Sequence, residues 1–244
     1  MYKRQLWTFS ILQAQNQKSV VENIINEVNN NSHLEKLAHE LFDVIGPRLV
    51  GTPQMKNAHD WAVDKYTDWG IKAYNHQWGI WRGWERGITH IDMLEPRLRT
   101  LNGRQLAWSP STPKKGITAG VTKVPDIDSK EDFDLWLKTI KGKFILVSQN
   151  QITGRPDYQW EEYATPESFE KMKEDREMIA EKWYANFRKT GYGYRDINKA
   201  FEDAGAVGLI SSNWSRAFGA NKVFSARTEK IPNVDVNLED YTML

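Results

Sequence analysis

The sequence contains no cysteine. Disulfides, thiolate zinc sites and cysteine nucleophiles are therefore excluded for its 244 residues. An excess of either charge is also absent, with 33 basic against 32 acidic side chains and a pI of about 7.8. Such a balance removes the electrostatic basis for binding nucleic acid or an anionic membrane surface. No apolar run approaches the ~18–20 residues of a membrane-spanning helix. No G-x-S-x-G elbow is present, and neither Gly51-Thr52-Pro53 nor the GYGYRD stretch at 191–196 is followed by the Gly-Lys-Ser/Thr that would hold a phosphate. Histidine is sparse at five residues, which limits any metal site.

Aromatic residues are what the chain has instead. Hydrophobic residues make up only 40% and the mean hydropathy is −0.66, yet there are 11 Trp, 9 Tyr and 9 Phe. Aromatic side chains bury large areas each, so a core is available despite the polar average. At the start, Lys3 and Arg4 precede the apolar stretch LWTFSIL (6–12) and then Ala14. A basic start, a short apolar run and a small residue resemble the rear of a secretory signal, assigned to 1–17. An unstructured amphipathic start fits the same residues.

Periodicity gives a helical first third. Residues 18–30 carry a stripe of Val20, Val21, Ile24, Ile25 and Val28. Ser32 caps a second helix with Leu34, Leu37, Ala38, Leu41 and Ile45 on one face, ended by Gly46-Pro47. Thr52-Pro53 starts a third helix, which stops at Gly70. The pattern then turns to period 2 at 71–78 and 87–94, predicting strands around the Gly- and Trp-rich GIWRGWERG. A domain boundary is placed at 95/96, ahead of a turn-rich stretch. Beyond it the pattern predicts strands at 116–124, 143–148, 206–211 and 231–236, with helices at 131–140 and from 194 to the Gly205 stop. This alternation implies an α/β layer. Thr165-Pro166 caps a long charged helix, 166–189, read as an insertion lying on the domain surface, with a partner-binding helix as the alternative. Asn237 is an N-cap for a final helical face of Leu238, Tyr241 and Leu244.

Chemistry-bearing residues are few. His90 and Asp92 are two apart, so on a strand both would reach one ion. A zinc site needs a third protein ligand, and no sequence rule brings His33, His39, His59 or His76 there. A solvated strand face is the alternative for the pair. Glu161-Glu162 lie in a polar, aromatic stretch with nothing to mark a raised-pKa acid. Asn30-Asn31-Ser32 and Asn213-Trp214-Ser215 match the glycosylation pattern, a three-residue match that chance often produces. Trp78, Trp81 and Trp84 fit either packing at a domain junction or an exposed sugar or peptide platform.

Several stretches resemble metallopeptidase family twenty-eight, in its plasma glutamate carboxypeptidase branch. They are FDVIGPRLVGTPQMKNAHDW, GWERGITHIDMLEPR and KKGITAGVTKV. KGKFILVSQ, INKAFEDAGAVGLISSN and KIPNVDVNLEDYTML are similar to the signatures of a protease-associated (PA) domain. The resemblance covers roughly residues 34–244. It implies a secreted or periplasmic zinc-dependent exopeptidase with two zinc ions, acting on peptides through a zinc-bound water and a glutamate base. It also implies an α/β fold truncated before the catalytic sheet. Residues 18–95 would be the first helices and strands of the peptidase domain, and 96–244 the PA domain, shaping the substrate cleft or homodimer contacts. The family's ligand motifs follow the PA domain, so no catalytic, cofactor-binding or metal residue is assigned to this chain. His90-Ile91-Asp92 precedes that domain and does not match the family's His-x-Asp position. The expected partners are peptide substrate, through the parent enzyme, and a C-terminal catalytic domain. A non-catalytic PA-type binding module is the competing reading.

Overall fold

The computed structural model describes residues 19–220, 222–224 and 226–244. The expected signal segment at 1–17 lies outside them. Two compact units separate between Glu85 and Arg86, earlier than the 95/96 boundary expected from composition. Hydrogen bonds explain the difference. Arg86 donates to the Gln105 carbonyl at 2.7 Å, Thr89 Oγ1 accepts from the Gln105 amide at 3.1 Å, and Ile91 O accepts from the Leu101 amide at 2.8 Å. The segment from Arg86 is thereby tied into the second unit.

In the first unit, residues 19–30 are helical (α1), and the whole apolar stripe from Val20 to Val28 is exposed. Helix α2, Leu34–His39, runs directly into a π-helical segment, Glu40–Ile45, where one continuous α-helix was the expectation. Ser32 does not occupy the cap position, which falls on His33; its Oγ accepts from the Leu34 amide at 3.3 Å. Gly46 ends the segment at φ +80°, a conformation that glycine adopts without steric cost. Helix α3, Pro53–Asp68, begins as expected, with Thr52 Oγ1 accepting from the Met55 amide at 3.2 Å. Glu40 joins the two helical segments, accepting from Trp61 Nε1 at 2.7 Å and pairing with Lys65 at 2.8 Å. Lys65 holds that carboxyl below its ordinary range, with help from Trp61.

No strand forms at 71–78. A period-2 pattern becomes a strand only when its backbone N–H and C=O groups find a ladder. Among the described residues the first unit contains no strand to pair with. Trp78 and Ile80 are 92% and 93% exposed.

The second unit is built on a mixed sheet. Strands β1 (Asp92–Met93) and β2 (Arg99–Thr100) form a small antiparallel pair, so the strand expected over 87–94 shrinks to two residues. The main sheet comprises β3 (Gly103–Gln105), β4 (Val121–Lys123), β5 (Phe144–Leu146), β6 (Gly208–Ser211) and β7 (Asn233–Val236). Its order is β3-β7-β6-β5-β4, parallel except for β3. Helices α4 (Lys130–Leu137), α5 (Asp157–Tyr163), α6 (Pro166–Lys189), α7 (Asp196–Asp203) and α8 (Leu238–Tyr241) complete it. The fold is mixed α/β, as the alternation predicts. Helix α5 is absent from the sequence reading; its charged DYQWEEY carries no helical stripe and no capping side chain.

Alternation along the strands divides the core. One face packs Ile145 and Leu209 against Phe133 and Leu137 of α4 and Ile197 and Phe201 of α7. The opposite face packs Ile210 and Val236 with Met93, Leu101 and Tyr241. Gly208 sits where a Cβ would meet the Phe144 ring at 2.6 Å, so the parallel β5–β6 approach needs glycine there. Helix α8 is short but anchored. Asn237 Oδ1 accepts from the Asp240 amide at 3.0 Å, and Asp240 accepts from Arg99 at 2.9 Å and the Asn102 amide at 2.7 Å. The Tyr241 hydroxyl accepts from the Ser148 amide and donates to its carbonyl. No helix among the described residues is long and apolar enough to cross a membrane.

Candidate functional site

His90 and Asp92 do come together. His90 Nε2 lies 2.9 Å from Asp92 Oδ2, and Asp92 Oδ1 accepts from Thr100 Oγ1 at 2.8 Å. Both carboxylate oxygens are therefore occupied by neighbours. Among the described residues no group of three or more His, Cys, Asp or Glu side chains could hold a metal ion. A pair without a third ligand does not fit a zinc centre. Glu161 and Glu162 lie exposed on α5. Asn213 is not a free surface acceptor: its side-chain amide donates to Asp235 at 2.7 Å and to Ser211 at 3.1 Å.

The concave site of the second unit lies elsewhere. A cleft of about 150 Å³ opens on the α7-bearing face of the sheet, at the carboxyl ends of β4, β5 and β6. Parallel strands place ligands at this end because their loops diverge there and leave a crevice. The sheet contributes Ser148, Ser211, Asn213 and Asn233. Helix α6 adds Trp183 and Phe187, whose rings stack at 5.6 Å with an interplanar angle of 13°. The long helix expected as a surface insertion thus supplies a wall of the cleft. Its Asn186 ties it down, accepting from the Ile127 amide at 2.9 Å and donating to the Pro125 carbonyl at 2.8 Å.

Below the cleft, Asp235 organises the floor. It is 1% exposed, and its Oδ1 accepts from the Ser211 hydroxyl at 3.0 Å and from the Asn213 backbone amide at 2.8 Å. Burial pushes the Asp235 carboxyl above its ordinary value, although these bonds and the nearby Lys222 charge pull the other way. Burial also pushes the Tyr241 hydroxyl up. Glu202 fixes the rim from behind, accepting from the amides of Glu229 and Lys230 at 2.8 Å each.

Among the described residues, two cations, Lys222 and Arg227, line the cleft, and no carboxylate or histidine does. The Arg227 guanidinium lies 4.2 Å from the Tyr194 ring centroid. Asn233 is 4% exposed, and its Oδ1 has no hydrogen-bond partner among the described residues. Ser211 points its hydroxyl at a carboxylate with no imidazole between them, so the geometry is not that of a Ser-His-Asp nucleophile. The arrangement offers hydrogen-bonding, cationic and aromatic groups for binding, and no carboxylate–imidazole pair among the described residues. Asn198, Lys222, Arg227 and Asn233 carry no local sequence signal. The carboxyl-end rule for parallel strands was the one available pointer, and it needs the strand order to be applied.

No family model matches the chain. Human carboxypeptidase Q is 30% identical over 122 residues, and the bovine protein is 32% identical over 111. These matches cover 50% and 46% of this chain but 25% and 23% of the relatives, so the match spans about a quarter of their length. A peptidase M28 precursor of Shewanella amazonensis aligns over 94% of this chain and 46% of its own, at 19% identity and a TM-score of 0.49. BSAP, a zinc aminopeptidase of Bacillus subtilis, aligns over 84% and 38%, at 18% identity and a TM-score of 0.41. The carboxypeptidase Q relatives bear out the family-twenty-eight resemblance read from the sequence.

Proposed function

We propose that this chain is the N-terminal portion of a zinc-dependent exopeptidase that removes terminal residues from peptides. The observation that supports this is the 30% identity to carboxypeptidase Q over half of the chain. In this reading the first unit supplies helices that pack on a catalytic sheet carried by the rest of the polypeptide. The second unit is a PA-type domain that shapes the substrate cleft or a homodimer contact. Zinc, two ions by resemblance, would be held outside this chain, whose own residues form no suitable donor set among those described. No step of the hydrolysis is therefore assigned to them. Export to a secreted or periplasmic location goes with this reading.

The test is made on the polypeptide encoded by the complete reading frame. It should release terminal residues from short peptides, lose that activity to a chelator and regain it with zinc. The 244-residue chain alone should be silent and bind no stoichiometric zinc. Hydrolysis by the isolated chain, or chelator-insensitive activity of the full polypeptide, would overturn the proposal. The cleft in the second unit supports the second reading, a binding module without catalysis. Peptide binding by a full polypeptide that hydrolyses nothing would favour it.

A further inference from the structure

We infer that the outer edge of β4 docks an extended segment of a partner protein, with apolar and acidic residues at alternate positions of one face, as an added strand of the main sheet. The inference does not rest on the peptidase reading, since every group in it belongs to residues 86–244.

The two edges of the sheet differ. Its outer strands are β3 and β4. At β3 the Gln105 amide donates to Thr89 Oγ1 at 3.1 Å, and the Gln105 carbonyl accepts from Arg86 at 2.7 Å. Ile91 lies over Gly103, where a Cβ would come within 2.8 Å of its side chain. That edge is closed. At β4 the Phe144 amide donates to the Gly120 carbonyl at 2.9 Å, and the parallel register sets Val121 beside Phe144 and Lys123 beside Leu146. Bonding to β5 through 120 and 122 turns the N–H and C=O groups of Val121 and Lys123 outward. Among the described residues no hydrogen bond reaches these outward groups. Such a row is a template for another strand.

Side chains select which strand. Val121 and Lys123 are two apart, so they share one face of β4, and both are exposed. Cross-strand pairing there favours an apolar residue opposite Val121 and an acidic one opposite Lys123. The wider charge agrees. The stretch 114–124 carries Lys114, Lys115 and Lys123 and no acidic residue. None of the three is ion-paired among the described residues, whereas the aspartates that follow, Asp126 and Asp128, are matched by Lys182 and Lys189 of α6. The same lysines disfavour a second copy of this chain, since two-fold pairing of β4 would lay this basic stretch against itself. Lys123 thus repels self-pairing and attracts an acidic strand, which is how one edge acquires specificity.

The experiment is fluorescence anisotropy of a labelled peptide of valine-threonine-glutamate-threonine repeats, titrated with the full 244-residue chain. Binding should be saturable and should weaken with added salt. The same peptide with lysine in place of glutamate should bind roughly tenfold more weakly, because like charges then face each other. Lys123→Glu should reverse the preference between the two peptides. Val121→Pro deletes an outward N–H without touching the β5 ladder, a change that an edge strand tolerates. It should weaken binding of the acidic peptide roughly tenfold through the lost hydrogen bond. Hydrogen exchange of the Val121 and Lys123 amides should slow when the peptide binds, which ionic adhesion to the lysines alone would not produce. Should Val121→Pro fail to fold, this protection decides. Absence of saturable binding, equal affinity for the two peptides, or binding that leaves both amides unprotected would overturn the inference.

Discussion

The two units use amphipathic helices alike and end with opposite interiors. Through Glu85, the buried residues among those described are Thr52 and Ala58, whereas the second unit buries two clusters around one sheet. Helix α1 has five β-branched apolar residues on its stripe and buries none of them. Helix α7, only eight residues long, buries Ile197 and Phe201. An apolar stripe is an offer of stabilisation, worth roughly 25 cal/mol per Å² only when a second surface removes it from water. In the second unit that surface is the parallel sheet. The first unit has no strand among its described residues to provide one.

The contrast is sharpest for core truncation. Phe133 is fully buried between α4, α7 and the sheet, with Tyr192 and Phe201 rings at 5.5 and 6.1 Å. Phe133→Ala should cost about 3–5 kcal/mol. Ile24→Ala, at a position 58% exposed, should change stability by no more than about 0.5 kcal/mol. Urea unfolding of the two variants checks both values, and similar losses would erase the distinction between the units.

Hydrogen exchange tests the same difference without mutation. Amides of 144–146 and 208–211 should exchange only through global opening, while those of 19–45 should exchange through local fraying. Strong protection over α1 would show that its stripe finds a covering surface in solution. Exposed stripes of this kind should also promote association, visible as concentration-dependent sedimentation.

A buried acid gives the second unit a pH dependence that no described group of the first shares. Burial raises the Asp235 carboxyl above its ordinary 3.8 in the folded protein, so the fold retains this proton to higher pH than the unfolded chain does. The stabilising contribution is complete below about 3.8 and is lost as pH rises through the folded value. Asp235→Asn should flatten this part of the profile, with the Tm of the variant gaining on the wild type from about pH 4 upward. A Tm difference independent of pH would show that the carboxyl keeps its ordinary acidity.

The smallest effects should be equal across the units. Thr52 and Thr165 each cap a helix that starts with proline, with side chains accepting from Met55 and Ser168 at 3.2 and 3.3 Å. Either Thr→Ala change should cost about 1 kcal/mol of local helix stability. Helix α6 and α3 amide exchange would register it, and a loss confined to one unit would mean that cap strength depends on the packing beneath.

Much of the architecture was legible beforehand because it depends on short-range chemistry. Thr165-Pro166 marked the start of α6, Asn237 the start of α8, and Gly46 and Gly205 the ends of their segments. These signals act within a turn of chain, where capping hydrogen bonds and positive φ angles are decided by the residues themselves. The buried strands at 144–146 and 208–211 were equally visible from apolar runs between glycine and charged turns. The resemblance to family-twenty-eight peptidases was also carried by sequence alone. The tertiary structure decided what period 2 could not. Residues 71–78 have the alternation of a strand and form none, because a ladder needs a partner that alternation does not specify. It decided that Arg86 to Met93 belongs with the sheet, through bonds to Leu101 and Gln105. It alone assembled the cleft, since Trp183, Asn198, Lys222 and Asn233 come from four separate segments and only the parallel strand order brings them to one crevice.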